Sequence, residues 1–440
     1  MNTVKRHLKR LAFKMKKYNA QVSFKSNFLF IDASFLIKRY LKQFIKIFYY
    51  ILNSFENHFF ILIKGIPYCF MPDASDHLRY TKKTNSDYQK TKKCTNCYYF
   101  SECPGIRKDF KTFFSTIHEI YNHPQDIAIE VNKVCNMKCD YCFYEPKHSD
   151  SGPCYEKIKK IINEAQKMKI RYLRFTGGEP LLRPDIIKIL RYAKSKNFYV
   201  FLNTNGTLLK QDIIIELEKY VDNILVSFCS LYQETFKQRS LLKNKIKGIL
   251  NLKKSKIKHL RIGIVVSKFL IENMKDYSIL INSLGINNVE FYRPMISQSQ
   301  AQRFPTFDIA KKDILKLLDH MRNLKKNSNN IYFANPIPFC ITRNKTKRIF
   351  FQGAKFDDGH CRLVFDSKGY YKPSYSIDIN LGNSIKTAWL HPFIKKINSL
   401  SYLSHKCRFC LYLKWCLGGS RYMAKEYCGD YFANDPLIQN

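Results

Sequence analysis

Three cysteines lie within eight residues in the stretch Cys135-Asn136-Met137-Lys138-Cys139-Asp140-Tyr141-Cys142, directly after an apolar, strand-like run at residues 127–131. Thiolates are soft ligands that select iron–sulfur clusters or zinc. Three of them can hold three irons of a four-iron cube, which leaves the fourth iron open to a small molecule. We therefore predict a reactive metal centre at these three cysteines. A zinc site and three unrelated core thiols are the alternatives.

Length and composition favour a folded protein of several domains without a membrane span. The chain has 440 residues, of which 45% are hydrophobic and 15% aromatic, enough for two or three ordinary cores. Its most apolar segment, residues 48–70, is interrupted by Glu56 and Lys64, so we expect it not to cross a membrane. The first 25 residues are basic and lack the apolar centre of a secretory signal.

The formal net charge is +40, from 75 Lys and Arg against 35 Asp and Glu. Such a field attracts nucleic acid, anionic lipid or an acidic peptide. Lysine is, however, abundant together with Asn, Ile and Tyr, which is typical of a general compositional bias with lysines solvating the surface. We favour that interpretation over a dedicated nucleic-acid site, because basic charge alone is non-specific.

The chain contains 15 cysteines, and most fall into tightly spaced groups. Disulfide frameworks belong to small secreted domains, whereas Cys-x2-Cys groups in a large chain more often bind metal. The first group has the spacing Cys-x2-Cys-x5-Cys, with an earlier cysteine as a fourth ligand. Its members are Cys69, Cys94, Cys97 and Cys103. Four thiolates predict a closed iron–sulfur cluster or a zinc site, and we expect the protein in a reducing, anaerobic cytoplasm.

Strand-like and helix-like segments alternate from residue 126 to about residue 297. Six apolar runs are strand candidates: 127–134, 170–176, 198–203, 223–229, 259–267 and 288–293. Between the first two, apolar residues from Ile158 to Ala165 recur at helical spacing. Alternation of this kind predicts βαβ units and a parallel sheet, and six repeats suit a partial (β/α)6, TIM-like barrel.

Polar and glycine-rich motifs follow the first three strand candidates. Cys135 follows the first, Gly177-Gly178-Glu179-Pro180 the second and Asn203-Thr204-Asn205-Gly206 the third. The carboxyl ends of parallel strands meet at one rim, where barrel enzymes have their active sites. We therefore predict that the three motifs form a single site.

A second cysteine group lies near the end of the chain and has the same Cys-x2-Cys-x5-Cys spacing. It contains Cys407, Cys410 and Cys416. The segment Ile337-Pro338-Phe339-Cys340 likewise resembles Ile66-Pro67-Tyr68-Cys69, upstream of the first group. The two ends therefore look like versions of one cluster-binding unit, although chance similarity remains an alternative.

These motifs, in this order, resemble those of radical S-adenosylmethionine (SAM) enzymes. Cys135-x3-Cys139-x2-Cys142, with Tyr141 before the last cysteine, is similar to the family's cluster motif, and Gly177-Gly178-Glu179-Pro180 is similar to its motif for the methionine amino group. The resemblance covers about residues 124–300. It implies ribose-side contacts from Asn203, Thr204 and Asn205, and contacts to the ribose or the methionine carboxylate from Ser227 and Arg239.

The resemblance implies a [4Fe–4S] cluster whose open iron binds SAM. Reductive cleavage of SAM would yield a 5′-deoxyadenosyl radical that abstracts hydrogen from a substrate, with the cofactors supplying the chemistry. Glycines at 177 and 178 would allow close approach of a ligand. Glu179 could accept a hydrogen bond from the ligand's ammonium, and Arg239 could pair with its carboxylate.

Residues 333–440 resemble the SPASM extension of peptide-modifying radical SAM enzymes. In that family pattern two auxiliary clusters are normal, but Ser374 and Ser420 stand where two ligands of the first are expected. The ligands implied for the second are complete: Cys407, Cys410, Cys416 and Cys428. We thus predict one auxiliary cluster there. Cys154 and Cys229 are expected to be buried thiols, and Cys340 or Cys361 could replace a ligand.

We accordingly predict four segments: an N-terminal extension (1–120), a radical SAM core (121–305), a linking helix (306–332) and a SPASM-like domain (333–440). The predicted function is a radical SAM enzyme acting on a peptide or protein side chain, with a flavodoxin or ferredoxin as reductant. A radical SAM enzyme for RNA or a small metabolite is the alternative. A non-catalytic iron–sulfur electron carrier is a third reading, against which the Gly-Gly-Glu-Pro motif counts.

Overall fold

The structure is a computed structural model of the chain. It describes residues 12–13, 15–25, 28–37, 40–55, 60–66, 87–90, 94, 103, 105–110, 123–142, 151–228, 236–325, 330–408 and 410–438. The chain divides into two compact units, one of residues 1–122 with 344–349 and one of residues 123–343 with 350–440.

The first unit contains two small sheets and a helix among its described residues. Its elements are β1 (Gln21–Lys25), β2 (Phe28–Asp32), α1 (Leu41–Phe55), β3 (Phe60–Lys64), β4 (Tyr88–Gln89) and β5 (Ile106–Arg107). The sheet order is β1-β2-β3, with β1 antiparallel and β3 parallel to β2. Phe44 and Phe48 of α1 lie in the same buried cluster as Leu29 and Ile61 of the sheet. The helix therefore covers one face of a β-α-β crossover.

The second unit contains a long, mostly parallel sheet flanked by helices. Its strands are β6 (Asp126–Glu130), β7 (Tyr172–Thr176), β8 (Tyr199–Thr204), β9 (Asn223–Ser227), β10 (His259–Val265), β11 (Asn288–Tyr292), β12 (Asn330–Phe333), β13 (Arg362–Phe365) and β14 (Tyr371–Lys372). Its helices are α2 (Tyr155–Lys167), α3 (Ile186–Ser195), α4 (Gln211–Tyr220), α5 (Phe236–Lys253), α6 (Lys268–Glu272), α7 (Met274–Ser283), α8 (Gln298–Arg303), α9 (Lys311–Lys325), α10 (Ile385–Trp389), α11 (Pro392–Ser399), α12 (His405–Arg408), α13 (Leu413–Cys416) and α14 (Arg421–Cys428).

Within the described residues, this sheet has nine strands in the order β12-β11-β10-β9-β8-β7-β6-β13-β14. The six strands predicted from the sequence are β6 to β11, and they lie side by side in chain order, as a partial barrel requires. The α/β fold and the partial TIM-like barrel are thus confirmed. The sheet also extends beyond the predicted core, because β12 pairs with β11, and β13 pairs in parallel with β6.

The two faces of the sheet differ in chemistry. Along β8 the side chains alternate between half-buried (Tyr199, Phe201, Asn203) and buried (Val200, Leu202). The buried set faces helices such as α2, whose Ile158, Ile161, Ile162 and Ala165 form the predicted apolar stripe. The half-buried set faces the interior of the partial barrel, so the interior stays accessible and carries polar groups.

Contacts across the interior show that the sheet is curled. The guanidinium of Arg261 on β10 lies 5.5 Å from the ring centre of Phe201 on β8, although the two strands are not neighbours. The charge of Arg174 on β7 also affects Tyr332 on β12. Burial and Glu290 raise the pKa of Tyr332, and Arg174 opposes them. Five strand spacings on a flat sheet would separate those strands by about 24 Å, so the sheet bends round an interior space.

No helix in the described parts of the chain is long and apolar enough to span a bilayer.

Candidate functional site

The turns after β6, β7 and β8 meet at the carboxyl end of the sheet, as the sequence predicts. The first carries Cys135, Cys139 and Cys142; the second carries Gly177, Gly178 and Glu179; the third carries Asn205. β6, β7 and β8 are neighbours in the sheet. The turns therefore emerge next to one another and can exchange hydrogen bonds.

The two glycines bring the second turn against the backbone of the cysteine loop. The amide of Gly178 donates to the carbonyl of Asn132 (2.9 Å), and the amide of Glu179 donates to the carbonyl of Val134 (2.8 Å). A Cβ on Gly177 or Gly178 would lie 2.2 Å from those same carbonyl oxygens. Neither position can therefore accept a side chain without moving the loop that carries the cysteines.

Glu179 connects the second turn to the third. Its side chain is fully buried, with Oε1 accepting hydrogen bonds from the amide of Leu181 (3.0 Å) and the hydroxyl of Thr204 (2.8 Å). Oε2 accepts from the amide of Asn205 (2.7 Å). Burial raises the pKa of Glu179, while these three hydrogen bonds lower it in part. About three of the four lone-pair positions of the carboxylate are thus already used within the protein.

A closed set of hydrogen bonds joins the third turn to the cysteine loop. Asn205 Nδ2 donates to Asn136 Oδ1 (2.8 Å), and Asn136 Nδ2 donates to Thr207 Oγ1 (2.9 Å). The Thr207 hydroxyl donates back to Asn205 Oδ1 (2.7 Å). Asn205 Nδ2 also lies 3.8 Å from Cys135 Sγ. The residue predicted to face a ribose therefore holds the cysteine loop in the described structure.

The cysteine loop has further contacts on its far side. Gln300 of α8 donates from Nε2 to the carbonyl of Cys142 (3.0 Å), and the Tyr141 ring packs edge-on against Phe307 at 5.2 Å. Burial raises the pKa of Cys135, whereas the amide of Met137 and the side chain of Asn205 lower it. The loop is thus supported by α8 and the segment that follows it as well as by the glycine turn.

The fourth strand brings a cation that the sequence did not predict. Lys245 of α5 is buried, and its Nζ donates to the carbonyl of Ser227 (2.8 Å) at the end of β9. Ser227, the last residue of β9, therefore lies at the same edge of the sheet as the three turns. Arg239 falls in α5, but its side chain lies outside the described residues. Lys245 is also close enough to Glu179 to lower the pKa of that carboxyl.

Below the rim, the interior face carries paired charges. Arg362 donates to Asp126 Oδ2 from Nε (2.9 Å), and Arg174 approaches the same oxygen at 3.4 Å. Arg174 also lies 4.2 Å from the ring centre of Phe201 and 3.4 Å from Asn203 Oδ1. Burial and the charge of Arg362 lower the pKa of Arg174. Two guanidinium groups thus share one oxygen of one carboxylate.

The opposite side of the interior contains a second network. Arg261 Nη1 donates to Glu290 Oε1 (2.6 Å), as does the hydroxyl of Tyr332 (2.7 Å), while the hydroxyl of Tyr292 donates to Oε2. Burial alone would raise the pKa of Glu290, but Arg261 and the hydroxyls outweigh it and lower that pKa. Among the described residues, Arg174 Nε and Arg261 Nη2 lack a hydrogen-bond partner.

The C-terminal cysteines lie on short helices and turns. Cys407 is on α12, Cys416 on α13, Cys428 is the last residue of α14, and Cys410 is exposed between the first two. Ser420, which replaces an expected ligand, is buried and caps α14 by accepting from the amide of Met423 (3.2 Å). Ser374 is buried as well.

The remaining cysteines are only partly described. Cys94 and Cys103 are half-buried, and Cys103 packs against the core of the first unit, while Cys69 and Cys97 lie outside the described residues. Cys361, which the sequence left open as a possible replacement ligand, is buried. The expectation of a buried thiol is wrong for Cys154, which is exposed because it stands at the N-cap of α2. Cys229 lies outside the described residues.

Comparison with known proteins agrees with this geometry. Residues 129–284 match the family model described as Radical SAM superfamily. Residues 129–284 are a radical SAM domain. This segment of the chain therefore belongs to a superfamily of enzymes, and the zinc and electron-carrier readings of the central cysteines lose their support.

Two curated relatives and one solved structure illustrate the likeness. The chain is 26% identical to an AdoMet-dependent heme synthase of Methanosarcina barkeri over 72% of its own length and 96% of that protein. It is 25% identical to a probable GTP 3′,8-cyclase of Sulfurisphaera tokodaii over 58% and 84% of the two chains. The fold resembles that of Streptococcus suis SuiB bound to the precursor peptide SuiA, with a TM-score of 0.56 and 18% identity over 76% and 79%.

The donor set at the rim fits the [4Fe–4S] cluster and SAM that the family implies. Cys135, Cys139 and Cys142 are half-buried thiols on one loop, at the open end of an accessible interior. In the described parts of the chain, no three His, Cys, Asp or Glu side chains converge enough to share one metal ion. A cube does not require such convergence, because each thiolate binds its own iron.

Proposed function

We propose that this radical SAM enzyme modifies a peptide or protein side chain. The observation that carries the proposal is the extent of the fold likeness to SuiB, which covers 76% of the chain. The radical SAM domain itself spans only residues 129–284. The likeness therefore extends well beyond that domain.

Cys135, Cys139 and Cys142 would hold the cluster, and the backbone of Gly177 and Gly178 borders the place where SAM would bind. When bound, the cluster supplies the electron that cleaves SAM to a 5′-deoxyadenosyl radical. Glu179 keeps the glycine turn and the Asn205 turn in fixed relation through its three hydrogen bonds. Ser227, Arg239, Asn203 and Thr204 complete the proposed SAM contacts. The protein's part is thus to hold the loop and to exclude water.

One auxiliary [4Fe–4S] cluster is proposed for the C-terminal cysteines. The position of Ser420 supports a single cluster, because its hydroxyl serves as a helix cap and its side chain is fully buried. We retain the four predicted segments as proposals, with an N-terminal cluster or zinc site at Cys69, Cys94, Cys97 and Cys103. A flavodoxin or ferredoxin in a reducing cytoplasm would supply the electrons.

A small anionic metabolite is the second candidate substrate, favoured by the interior charges. Arg174 and Arg362 share Asp126, and Arg261 faces Glu290, so the positive groups outnumber these two carboxylates. Asp357 lies near Arg174 and Arg362, but burial raises its pKa to about 7, so its charge compensates only in part at neutral pH. A phosphate or carboxylate would find donors there. The relatives named as GTP 3′,8-cyclases fit this second candidate.

The experiment compares the two classes on the same reduced protein. Peptides encoded by short reading frames beside the gene are incubated with enzyme, SAM and dithionite, and GTP, other nucleotides and RNA are tested in parallel. A mass change in a peptide, together with release of 5′-deoxyadenosine above the substrate-free rate, supports the first proposal. The same pair of signals with GTP or RNA and not with a peptide would overturn it.

A further inference from the structure

The C-terminal cysteine group of the second unit includes a fourth thiol that the family pattern does not assign. Cys340 lies in a short 3-10 turn, Phe339–Ile341, that follows Pro338. The Phe339 ring packs in a tilted arrangement, 5.2 Å between ring centres, against Tyr412, which lies between Cys410 and Cys416. A Cβ on Gly419 would approach Pro338 Cγ to 2.8 Å. The turn therefore packs directly on the loop that carries the cysteine group.

The groups around the Cys416 sulfur show that Cys340 lies beside it. The Cys340 and Cys410 thiols lie close enough to Cys416 for their charges to act on its sulfur. The backbone amides of Phe339 and Gly418 donate hydrogen bonds to the same sulfur. An amide one residue before Cys340 thus faces the Cys416 sulfur, so the two cysteines are neighbours in space.

Cys428, which the resemblance implies as the fourth ligand, is placed differently. It is the last residue of α14, which begins after Ser420, so about 12 Å of helix separates it from that serine. Its Sγ lies 3.6 Å from the carbonyl of Asn434. Cys416 lies only four residues before Ser420, at the opposite end of the helix. The four thiolates of one cube must all reach its irons, at metal–sulfur distances of about 2.3 Å.

The sequence repeat supports the same assignment independently. In both halves an Ile-Pro-aromatic-Cys segment precedes a Cys-x2-Cys-x5-Cys group: Cys69 before Cys94, and Cys340 before Cys407. Two cluster units of one origin would use corresponding cysteines. Nothing that corresponds to Cys428 follows the N-terminal group at the same spacing, since residues 104–134 contain no cysteine.

We propose that Cys340, together with Cys407, Cys410 and Cys416, ligates the C-terminal auxiliary cluster, in place of Cys428. This inference rests on the proposed presence of that cluster and assigns its ligands. With this assignment the cluster has a ligand in the turn that follows β12. The position of the cluster is then fixed by the sheet and not by the C-terminal end of α14.

The test counts metal on the full chain. Cys135, Cys139 and Cys142 are first replaced by Ser, so that the iron remaining after anaerobic reconstitution comes from outside the radical SAM site. In this background we add Cys410→Ser, Cys340→Ser, Cys428→Ser or, as a matched control at an exposed thiol, Cys154→Ser. Iron, zinc and sulfide per chain and the EPR spectrum of the reduced protein are measured.

We expect Cys340→Ser and Cys410→Ser each to lose about four irons relative to the background, and Cys428→Ser and Cys154→Ser to lose none. Loss of iron in Cys428→Ser, with or without loss in Cys340→Ser, would overturn the assignment. If Cys410→Ser loses no iron, the auxiliary cluster itself is absent. That result would contradict the auxiliary cluster under the proposed function. It differs from a wrong fourth ligand, for which Cys410→Ser still loses iron.

A second measurement does not depend on how well a variant folds. The cluster-free wild-type chain is treated with dibromobimane, which bridges two neighbouring thiols, and the linked peptides are identified by mass spectrometry. We expect links between Cys340 and Cys416. Links between Cys428 and Cys416 without any from Cys340 would contradict the proposal.

Discussion

At the residue scale, the site depends on a few residues that fix the backbone positions of the turns and of the cysteine loop. Glu179 is fully buried and accepts hydrogen bonds from two turns, and Gly178 faces the carbonyl of Val134 at a distance that excludes a Cβ. The sequence predicted that both residues face the ligand. In the structure they first position the loop of Cys135, and any contact with SAM depends on that arrangement.

Replacing Glu179 by Gln tests the connection between the turns. The amide nitrogen of Gln would face one of three donors, so one buried hydrogen bond is lost and a donor is left unsatisfied. We expect the free energy of unfolding to fall by about 1–3 kcal/mol and SAM binding to weaken. Denaturant titration and equilibrium dialysis with SAM measure the two effects. Glu272→Gln, at an exposed position, is the control, and equal behaviour of the two variants would contradict this role.

Gly178→Ala tests the close approach of the two turns. Its new Cβ would overlap the carbonyl of Val134 at 2.2 Å, so the cysteine loop must move. We expect loss of most of the iron bound at Cys135, Cys139 and Cys142 after reconstitution, because the loop no longer holds its geometry. Gly369→Ala is the control for backbone strain without a clash, since φ there is +100° and a Cβ meets nothing within 4 Å; it should keep its iron. Normal iron content in Gly178→Ala would show that the loop tolerates the displacement.

At the element scale, the strands of the second unit separate two environments. The outward faces of β6 to β11 are apolar and buried, whereas the inward faces carry Arg174, Arg261 and Glu290. Charged groups in the middle of strands are costly to bury unless they are paired. Here the pairs Arg174–Asp126 and Arg261–Glu290 offset that cost.

Arg174→Gln tests whether the interior recognises an anionic group of the substrate. Asp126 keeps Arg362 as a partner in this variant, so the strand pairing should remain intact. We expect the KM for the substrate to rise about tenfold or more, in line with the loss of a hydrogen bond to a charged group. Release of 5′-deoxyadenosine without substrate should stay near the wild-type rate. Arg303→Gln, on the exposed surface, is the control. An unchanged KM in Arg174→Gln would show that Arg174 does not bind an anionic group of the substrate.

The elements after β12 predict a dependence of stability on pH. Burial, together with the charge of Arg421, lowers the pKa of His360 to about 3. The folded chain therefore keeps this imidazole neutral, while the unfolded chain protonates it near pH 6.5. Stability is lost as the pH falls below 6.5, by about 2 kcal/mol between pH 6.5 and 5 for this one group.

His360→Gln should remove that part of the acid sensitivity. Urea titrations of the cluster-free protein at pH 6.5 and 5 measure it, as the difference between variant and wild type, so that other titrating groups such as Asp358 cancel. His259→Gln, on an exposed imidazole, should leave the acid sensitivity of the wild type unchanged. Equal acid sensitivity of His360→Gln and wild type would show that this imidazole titrates normally.

At the scale of the whole molecule, periodicity predicted the sheet better than it predicted the site. The six core strands were visible because each is an apolar run between helix-like segments. β12 and β13 were not, since each has only four residues and β13 is separated from its partner β6 by more than 230 residues. Pairing between such distant segments leaves no local signal.

The motifs predicted which turns form the site, but they did not predict what joins them. Asn136 stands between two of the cysteines and Thr207 two residues after Asn205, so proximity to a motif was the only signal for either. Lys245 gave no signal, because it is one lysine among many until its burial is known. Contacts between turns depend on the relative placement of strands, and only the folded chain specifies that.

A cluster held by Cys135, Cys139 and Cys142 must cleave SAM when it is reduced. The decisive measurement is 5′-deoxyadenosine released from SAM by the reconstituted, reduced protein, quantified by liquid chromatography. We predict release by the wild type, none by Cys139→Ala, and release without substrate modification by Cys410→Ala. Wild-type protein with a full complement of iron and sulfide that releases no 5′-deoxyadenosine would contradict the account.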